Sequence, residues 1–164
     1  MVDSLEERFV NELNENAGIV HRICRIYFRN EDDRQDAFQE IVYQLWKSYG
    51  SFKGQSKFST WMYRVALNTA ITHIRKSKRD IVKPFLDNQY LQYPDGDDDT
   101  EEESVKLLYM AIDTLTSIDK AITLLYLDDH SYEEIASITG LTKTNVSVRL
   151  FRIKKRLEEQ LKTH

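Results

Sequence analysis

Residues 131–161 read SYEEIASITGLTKTNVSVRLFRIKKRLEEQL, two helical patterns either side of one glycine. Ser131 stands three residues before Glu134. At that spacing a serine oxygen accepts from a free first-turn N–H and the glutamate reaches back to the cap. The helix that starts there turns Ile135, Ala136 and Ile138 inward and stops at Gly140, the residue suited to a left-handed position just past a helix. Thr142 restarts a longer helix. Val146, Leu150, Ile153, Leu157 and Leu161 follow at spacings of four, three, four and four, which places them on one stripe. The other face carries Lys143, Thr144, Asn145, Ser147, Arg149, Arg152, Lys155 and Arg156. Two helices joined by a glycine turn, the second one basic outward, describe a helix-turn-helix of the kind that reads DNA. A solvated helical hairpin would also account for Lys154 to Arg156, because cations suit a C-terminal dipole. It leaves Lys143, Thr144 and Asn145 unexplained: there a lysine opposes the dipole, and there a recognition helix meets base edges.

The rest of the chain fits a small all-α protein. Of 164 residues, 41% are apolar and 30% charged, and only five are glycine and two proline, so long helical patterns run with few breaks. One cysteine, Cys24, rules out an internal disulfide and any multi-cysteine zinc site. It sits in an apolar run as a small core residue and fits a reducing compartment. The N-terminus has no apolar signal-like core and no run approaches membrane-spanning length, so the protein is expected in the cytoplasm without membrane insertion.

Net charge is −4, but it is distributed unevenly. Residues 1–40 hold five basic and ten acidic side chains. Residues 51–80 hold seven basic and one acidic, and residues 141–164 seven basic and two acidic. Residues 87–103 hold eight acidic side chains and no basic one. Two basic blocks in an acidic chain point to phosphate binding, which depends on the local field rather than the sum.

Taken in order, Ser4 and Glu7 form a second capping box ahead of a stripe of Leu5, Phe9 and Leu13, and Gly18 is expected to break it. Ile19, Ile23, Ile26 and Tyr27 make the next helix. Phe38, Ile41, Val42, Leu45, Trp46 and Tyr49 make a third behind an acidic first turn. Ser48 to Lys57 reads as a loop, and a fourth helix begins near Ser59. Tyr49, Phe52, Phe58, Trp61 and Tyr63 are interleaved with Lys53, Lys57 and Arg64. If that helix buries a single face, some rings remain exposed among cations, as a platform on which unstacked bases can lie. For Tyr49 and Trp61 individually, a core role fits equally well. From Ile81 the periodicity fades, and the acidic run through Glu103 repels itself, which predicts a linker. A second helical unit follows, with Val105, Leu108, Ala111, Ile112 and Leu115 in one helix and Ile118, Ala121, Ile122 and Leu125 in another. The expected division is 1–80, a linker over 81–103, and 104–164.

Two windows together carry a family resemblance. One holds Asp36-Ala-Phe-Gln39-Glu40, Phe52-Lys-Gly54 and Phe58-Ser-Thr60-Trp61-Met-Tyr63-Arg64-Val-Ala66-Leu-Asn68. The other holds Ser131-Tyr-Glu-Glu-Ile-Ala136, Gly140, Val146, Arg149 and Arg152. The chain resembles bacterial sigma factors of the sigma-70 family, in the small extracytoplasmic-function (ECF) group that keeps only regions 2 and 4. The resemblance implies two helical domains that bind core RNA polymerase and direct promoter recognition, melting and initiation. It places Asp36, Gln39, Glu40 and Leu45 against the β′ coiled coil, whereas Trp46 is expected in the core. It assigns the −10 element and adjoining duplex to Phe52, Ser56, Lys57, Phe58, Trp61, Tyr63, Arg64, Asn68, Arg75 and Arg79. It assigns the −35 element to Lys143, Thr144, Asn145, Ser147, Val148, Arg149 and Arg152, with the helix pair before these residues also meeting the β flap. Relatives often have Gly-Thr where this chain has Thr144-Asn145, so the base sequence read does not carry over. The resemblance further implies an anti-sigma partner. The acidic linker either occupies a basic polymerase channel or serves as a plain tether.

Other classes fit less well. His21, His73, His130 and His164 are scattered, with no metal-ligand spacing, no glycine-rich phosphate loop and no nucleophile–base set, so neither catalysis, a metal nor a cofactor is expected. A conventional helix-turn-helix regulator would bind duplex DNA without polymerase and would have no use for the Tyr49–Tyr63 cluster.

Overall fold

The computed structural model describes residues 4–80 and 103–162, with side chains placed up to Lys76 in the first stretch. The expected linker, apart from Glu103, and the side chain of Arg79 lie outside the described residues. The chain divides into two compact units, Met1–Leu91 and Gln92–His164. All regular structure among the described residues is helical.

In the first unit, α1 (Leu5–Glu15) opens on Ser4, whose hydroxyl accepts from Glu7 N–H at 3.1 Å. It ends at Asn16 rather than at Gly18, which lies inside α2 (Ala17–Tyr27). The Asn16 amide donates to the Glu12 carbonyl at 2.8 Å, satisfying an orphan acceptor of the last turn. A local side-chain bond therefore ends the helix where backbone freedom was expected to. Helix α2 buries Val20, Ile23, Cys24 and Tyr27 at the centre of the unit.

Helix α3 (Glu31–Tyr49) is capped by Asn30, whose side-chain oxygen accepts from Asp33 N–H at 2.7 Å, and carries three acids in its first turn. Its core row is Ala37, Ile41, Leu45 and Tyr49, strictly four apart. Helix α4 (Phe58–Asp80) packs against both α2 and α3. Fully buried Ala66 and Ala70 let the backbones approach closely, and Trp61, Met62 and Tyr63 are buried in succession. A helix flanked on two sides buries more than one stripe, which overturns the expectation of a single buried face.

The second unit holds α5 (Glu103–Ile112), α6 (Ser117–Leu127), α7 (Tyr132–Thr139) and α8 (Lys143–Lys162). Thr116 caps α6 by accepting from Asp119 N–H at 3.3 Å. Thr123, the polar member of this buried row, donates its hydroxyl to the Asp119 carbonyl at 2.7 Å, so its burial leaves no donor unmet. Ala121, Ile122, Leu125, Ile135, Val146, Leu150 and Ile153 form the core on which α8 lies.

Candidate nucleic-acid interface

The helix-turn-helix is set by three local devices. The Ser131 hydroxyl accepts from Glu134 N–H at 3.1 Å while Ser131 N–H donates to the Glu134 carboxylate at 3.0 Å, closing a reciprocal cap on α7. Gly140 takes φ 81°, where a Cβ would strain the backbone. Thr142 then starts α8, its hydroxyl accepting from Asn145 N–H at 3.0 Å. The turn fixes which side of α8 faces out. At ~100° per residue, Val146, Leu150 and Ile153 point into the unit, and the opposite pole falls on Thr144, Val148, Phe151 and Lys155.

Polar residues on the flanks of that pole are already engaged. Arg149 donates Nη1 to Asp119 Oδ1 of α6 at 3.0 Å and Nε to Asn145 Oδ1 at 3.0 Å. Its guanidinium leans toward α6 because residue 149 sits between the pole and the buried row. Lys143 pairs with Glu133 of α7 at 3.2 Å, both exposed. Arg156 reaches Thr114 at 3.4 Å, and Lys154 lies 4.4 Å over the Tyr126 ring. Thr144, Ser147, Val148 and Arg152 are exposed. So is Phe151, at 68%, a residue that sequence reasoning passed over. The signal was present, since Phe151 lies opposite the Val146–Leu150–Ile153 stripe.

In the first unit the aromatic cluster is a closed box rather than a platform. Tyr49 sits 6.3 Å from Phe52, 6.2 Å from Phe58 and 6.1 Å from Trp61, centroid to centroid, and its hydroxyl donates to Glu12 at 3.2 Å. Trp61 is 9% exposed and Tyr63 not at all, so neither offers a ring face to a base as expected. Both are held because α4 is clasped by α2 and α3. Phe52 and Phe58, on the covering loop and at the start of α4, are half-buried. On the same loop and first turns Lys53, Lys57 and Arg64 are exposed and Ser56 half-buried, and further along α4 Arg75 and Lys76 are exposed.

Beside the box an open groove of about 620 Å³ runs between α3 and α4. Glu40, Gln44 and Ser48 line one wall; Val65, Asn68, Thr72 and Lys76 line the other. Gln44 donates to Glu40 at 3.1 Å across one turn of the first wall. The expected polymerase-contacting set is thereby divided. Asp36 and Gln39 are exposed, Glu40 turns into this groove, and Leu45 is fully buried and cannot meet a partner. Trp46, expected in the core, is 40% exposed. It lines a second, apolar groove of about 390 Å³ with Phe9, Val10, Phe38, Val42 and Tyr43. The reason is that α3 carries two adjacent apolar rows, and the one containing the small Ala37 is the one that packs.

Burial raises the Cys24 thiol to about 11, so it is a core group rather than a nucleophile. Among the described residues no cluster of three or more His, Cys, Asp or Glu is placed to hold a metal ion. No helix there is long and apolar enough to cross a membrane.

A helical pair of units, one ending in a helix-turn-helix and the other exposing Lys53, Lys57, Arg64, Arg75 and Lys76, defines a DNA-binding protein of the transcription apparatus. Residues 13–80 match the sigma-70 region 2 model and residues 106–157 the sigma-70 region 4 model. The ECF RNA polymerase sigma-E factor of Haemophilus influenzae is 31% identical, the alignment covering 90% of this chain and 82% of that protein. SigV of Bacillus subtilis, an RNA polymerase sigma factor, is 30% identical over 86% of this chain and 83% of the relative. The sigma factor RpoE from Bartonella quintana, solved with the anti-sigma factor NepR, shares the fold at a TM-score of 0.77 and 20% identity, over 95% of this chain and 98% of that one. CnrH, solved with the cytosolic domain of CnrY, superposes at 0.65 with 17% identity, over 96% of this chain and 90% of its own. The chain belongs to the ECF group of sigma-70 family RNA polymerase sigma factors. A region 2 match beside region 4 sets it apart from a conventional helix-turn-helix regulator.

Proposed function

We propose that this chain, acting in the cytoplasm, is the promoter-specificity subunit of an RNA polymerase, with residues 1–80 serving the −10 element, 104–164 the −35 element and 81–103 the tether between them. It carries out no chemistry itself; polymerisation belongs to the core enzyme. The observation that carries this reading is the presence of both sigma regions in one chain.

At the −35 element, α8 enters the major groove with Thr144, Ser147, Val148 and Arg152 toward the bases, and Lys143, Asn145 and Arg149 at the flanks. At the −10 element, the groove walled by Val65 and Asn68 receives a base drawn from the non-template strand. Phe52, Ser56, Lys57 and Phe58, on the preceding loop and at the start of α4, contact the neighbouring non-template bases, and buried Trp61 and Tyr63 hold that segment rigid. Arg64, Arg75 and Arg79 hold phosphates of the adjoining duplex, which position the DNA without specifying it. Energy gained on the extruded base offsets lost stacking, so melting needs no nucleotide hydrolysis. Two weak readers on one tether gain from high effective concentration once core polymerase fixes their spacing.

Core polymerase binds through its β′ coiled coil at Asp36, Gln39 and the exposed side of α3, and through its β flap at the second unit. An anti-sigma partner is proposed because related folds were solved with one: RpoE with NepR. Run-off transcription with purified core polymerase on a library of promoter fragments tests the proposal. The chain should select a subset of start sites that core enzyme alone does not use; unchanged start-site choice would refute it.

A further inference from the structure

We infer that α8 recognises its −35 element in large part through thymine methyl groups, read by Val148 and Phe151. The inference rests on the assignment of the second unit to the −35 element and deepens it.

Phe151 is the most exposed large apolar residue among those described, at 68%, and Val148 is 44% exposed. They stand three residues apart at the pole of α8 directly opposite Val146, Leu150 and Ile153. A scattered exposed apolar residue is ordinary. Two on the outermost line of a helix otherwise rich in cations are not, and neither contributes to the core. Of the polar side chains beside them, Arg149 and Asn145 are already engaged within the unit, while Thr144, Ser147 and Arg152 stay exposed. Arg149 is held by Asp119 and Asn145, each at 3.0 Å, and Asn145 is the acceptor of one of those bonds. The centre of the helix therefore presents the Val148 methyl groups and the Phe151 ring, flanked by the exposed Thr144 and Arg152.

The surrounding charge selects the occupant. Lys155 lies 5.9 Å from the centroid of the Phe151 ring, and Arg152 is its neighbour along the helix. An apolar pair framed by cations suits a polyanion that carries apolar groups in a groove. In the major groove the one such group is the C5-methyl of thymine. Val148 and Phe151 are separated by ~4.5 Å of helix rise, against ~3.4 Å per base step, so they reach adjacent pairs. The element should accordingly hold thymines at two neighbouring steps, on either strand.

Single thymine-to-deoxyuridine replacements test this, since they delete the methyl and nothing else. The full chain is assembled with core polymerase on a promoter it uses, and each −35 thymine is replaced in turn. At one or two adjacent positions deoxyuridine should weaken promoter binding about fourfold, the worth of one buried methyl group. Phe151→Ala and Val148→Ala should each become indifferent to deoxyuridine at one of those positions while leaving the melting temperature of the chain unchanged. Equal binding of thymine and deoxyuridine everywhere, with base-pair swaps still harmful, overturns the inference and leaves the −35 assignment standing. Swaps that are harmless throughout the element defeat the assignment itself. A preferred element without thymine on either strand overturns the inference as well.

Discussion

Helices α4 and α8 are both long, both basic and both carry aromatic residues, yet they treat those rings in opposite ways. Trp61 and Tyr63 on α4 are packed away, while Phe151 on α8 is 68% exposed. The cause is the number of neighbours. Helix α4 is clasped by α2 and α3, so most of its circumference in the first two turns is interior. Helix α8 rests on one side against α5, α6 and α7, which leaves a full pole in solvent. The first unit thus spends its rings on rigidity around a groove, and the second presents one directly.

The largest test of this contrast is Tyr63→Ala. Removing a fully buried aromatic side chain should cost the first unit about 3–5 kcal/mol. Phe151→Ala, on the exposed pole, should shift the second by no more than about 0.5 kcal/mol. Chemical denaturation of the two variants checks both values. If Tyr63→Ala left stability intact and impaired only DNA binding, Tyr63 would be a reader after all and the contrast would fail.

The same logic divides α3. Leu45→Ala should cost about 2–5 kcal/mol as a core truncation. Trp46→Ala, with its ring on the apolar groove beside α1, should cost far less in stability and instead weaken capture of core polymerase in a pull-down. Equal and large losses of stability from both would show that the two rows share the core.

How much of this could be read in advance follows from range. Capping at Ser4 and Ser131, the Gly140 turn and the Val146–Leu150–Ile153 stripe depend on residues within one or two turns, and the sequence displays them. The end of α1 was misplaced because Asn16 bonds its own helix, a competitor to the more conspicuous Gly18. On α3, periodicity located two apolar rows but not which one packs: Phe38, Val42 and Trp46 are bulkier, yet the row of Ala37 allows close helix approach. In the candidate site, Lys57, Asn68 and Arg152 were evident as exposed polar groups. The burial of Trp61 and Tyr63 was not, since it depends on where α2 lies. Nor was the pairing of Arg149 with Asp119, thirty residues away in sequence.

That pairing yields the smallest and most discriminating prediction. Asp119→Asn keeps both backbone roles of residue 119, the N–H given to Thr116 and the carbonyl that accepts from Thr123. Because both partners of the ion pair are partly exposed, the stability lost should be about 1 kcal/mol or less. The gain appears on DNA. An Arg149 released from Asp119 can swing to a phosphate, so non-specific binding should strengthen and its dependence on salt should steepen by ~0.9 in log–log slope, one further neutralised phosphate. Discrimination at the −35 element should fall correspondingly, since phosphate contacts carry no sequence information. Adding Arg149→Ala in the same chain should return the slope to that of the single Arg149→Ala variant, a coupling that a simple change in net charge would not produce. An unaltered slope in Asp119→Asn would mean that Arg149 already reaches the phosphates, and that the outward pole of α8 owes nothing of its selectivity to that internal restraint.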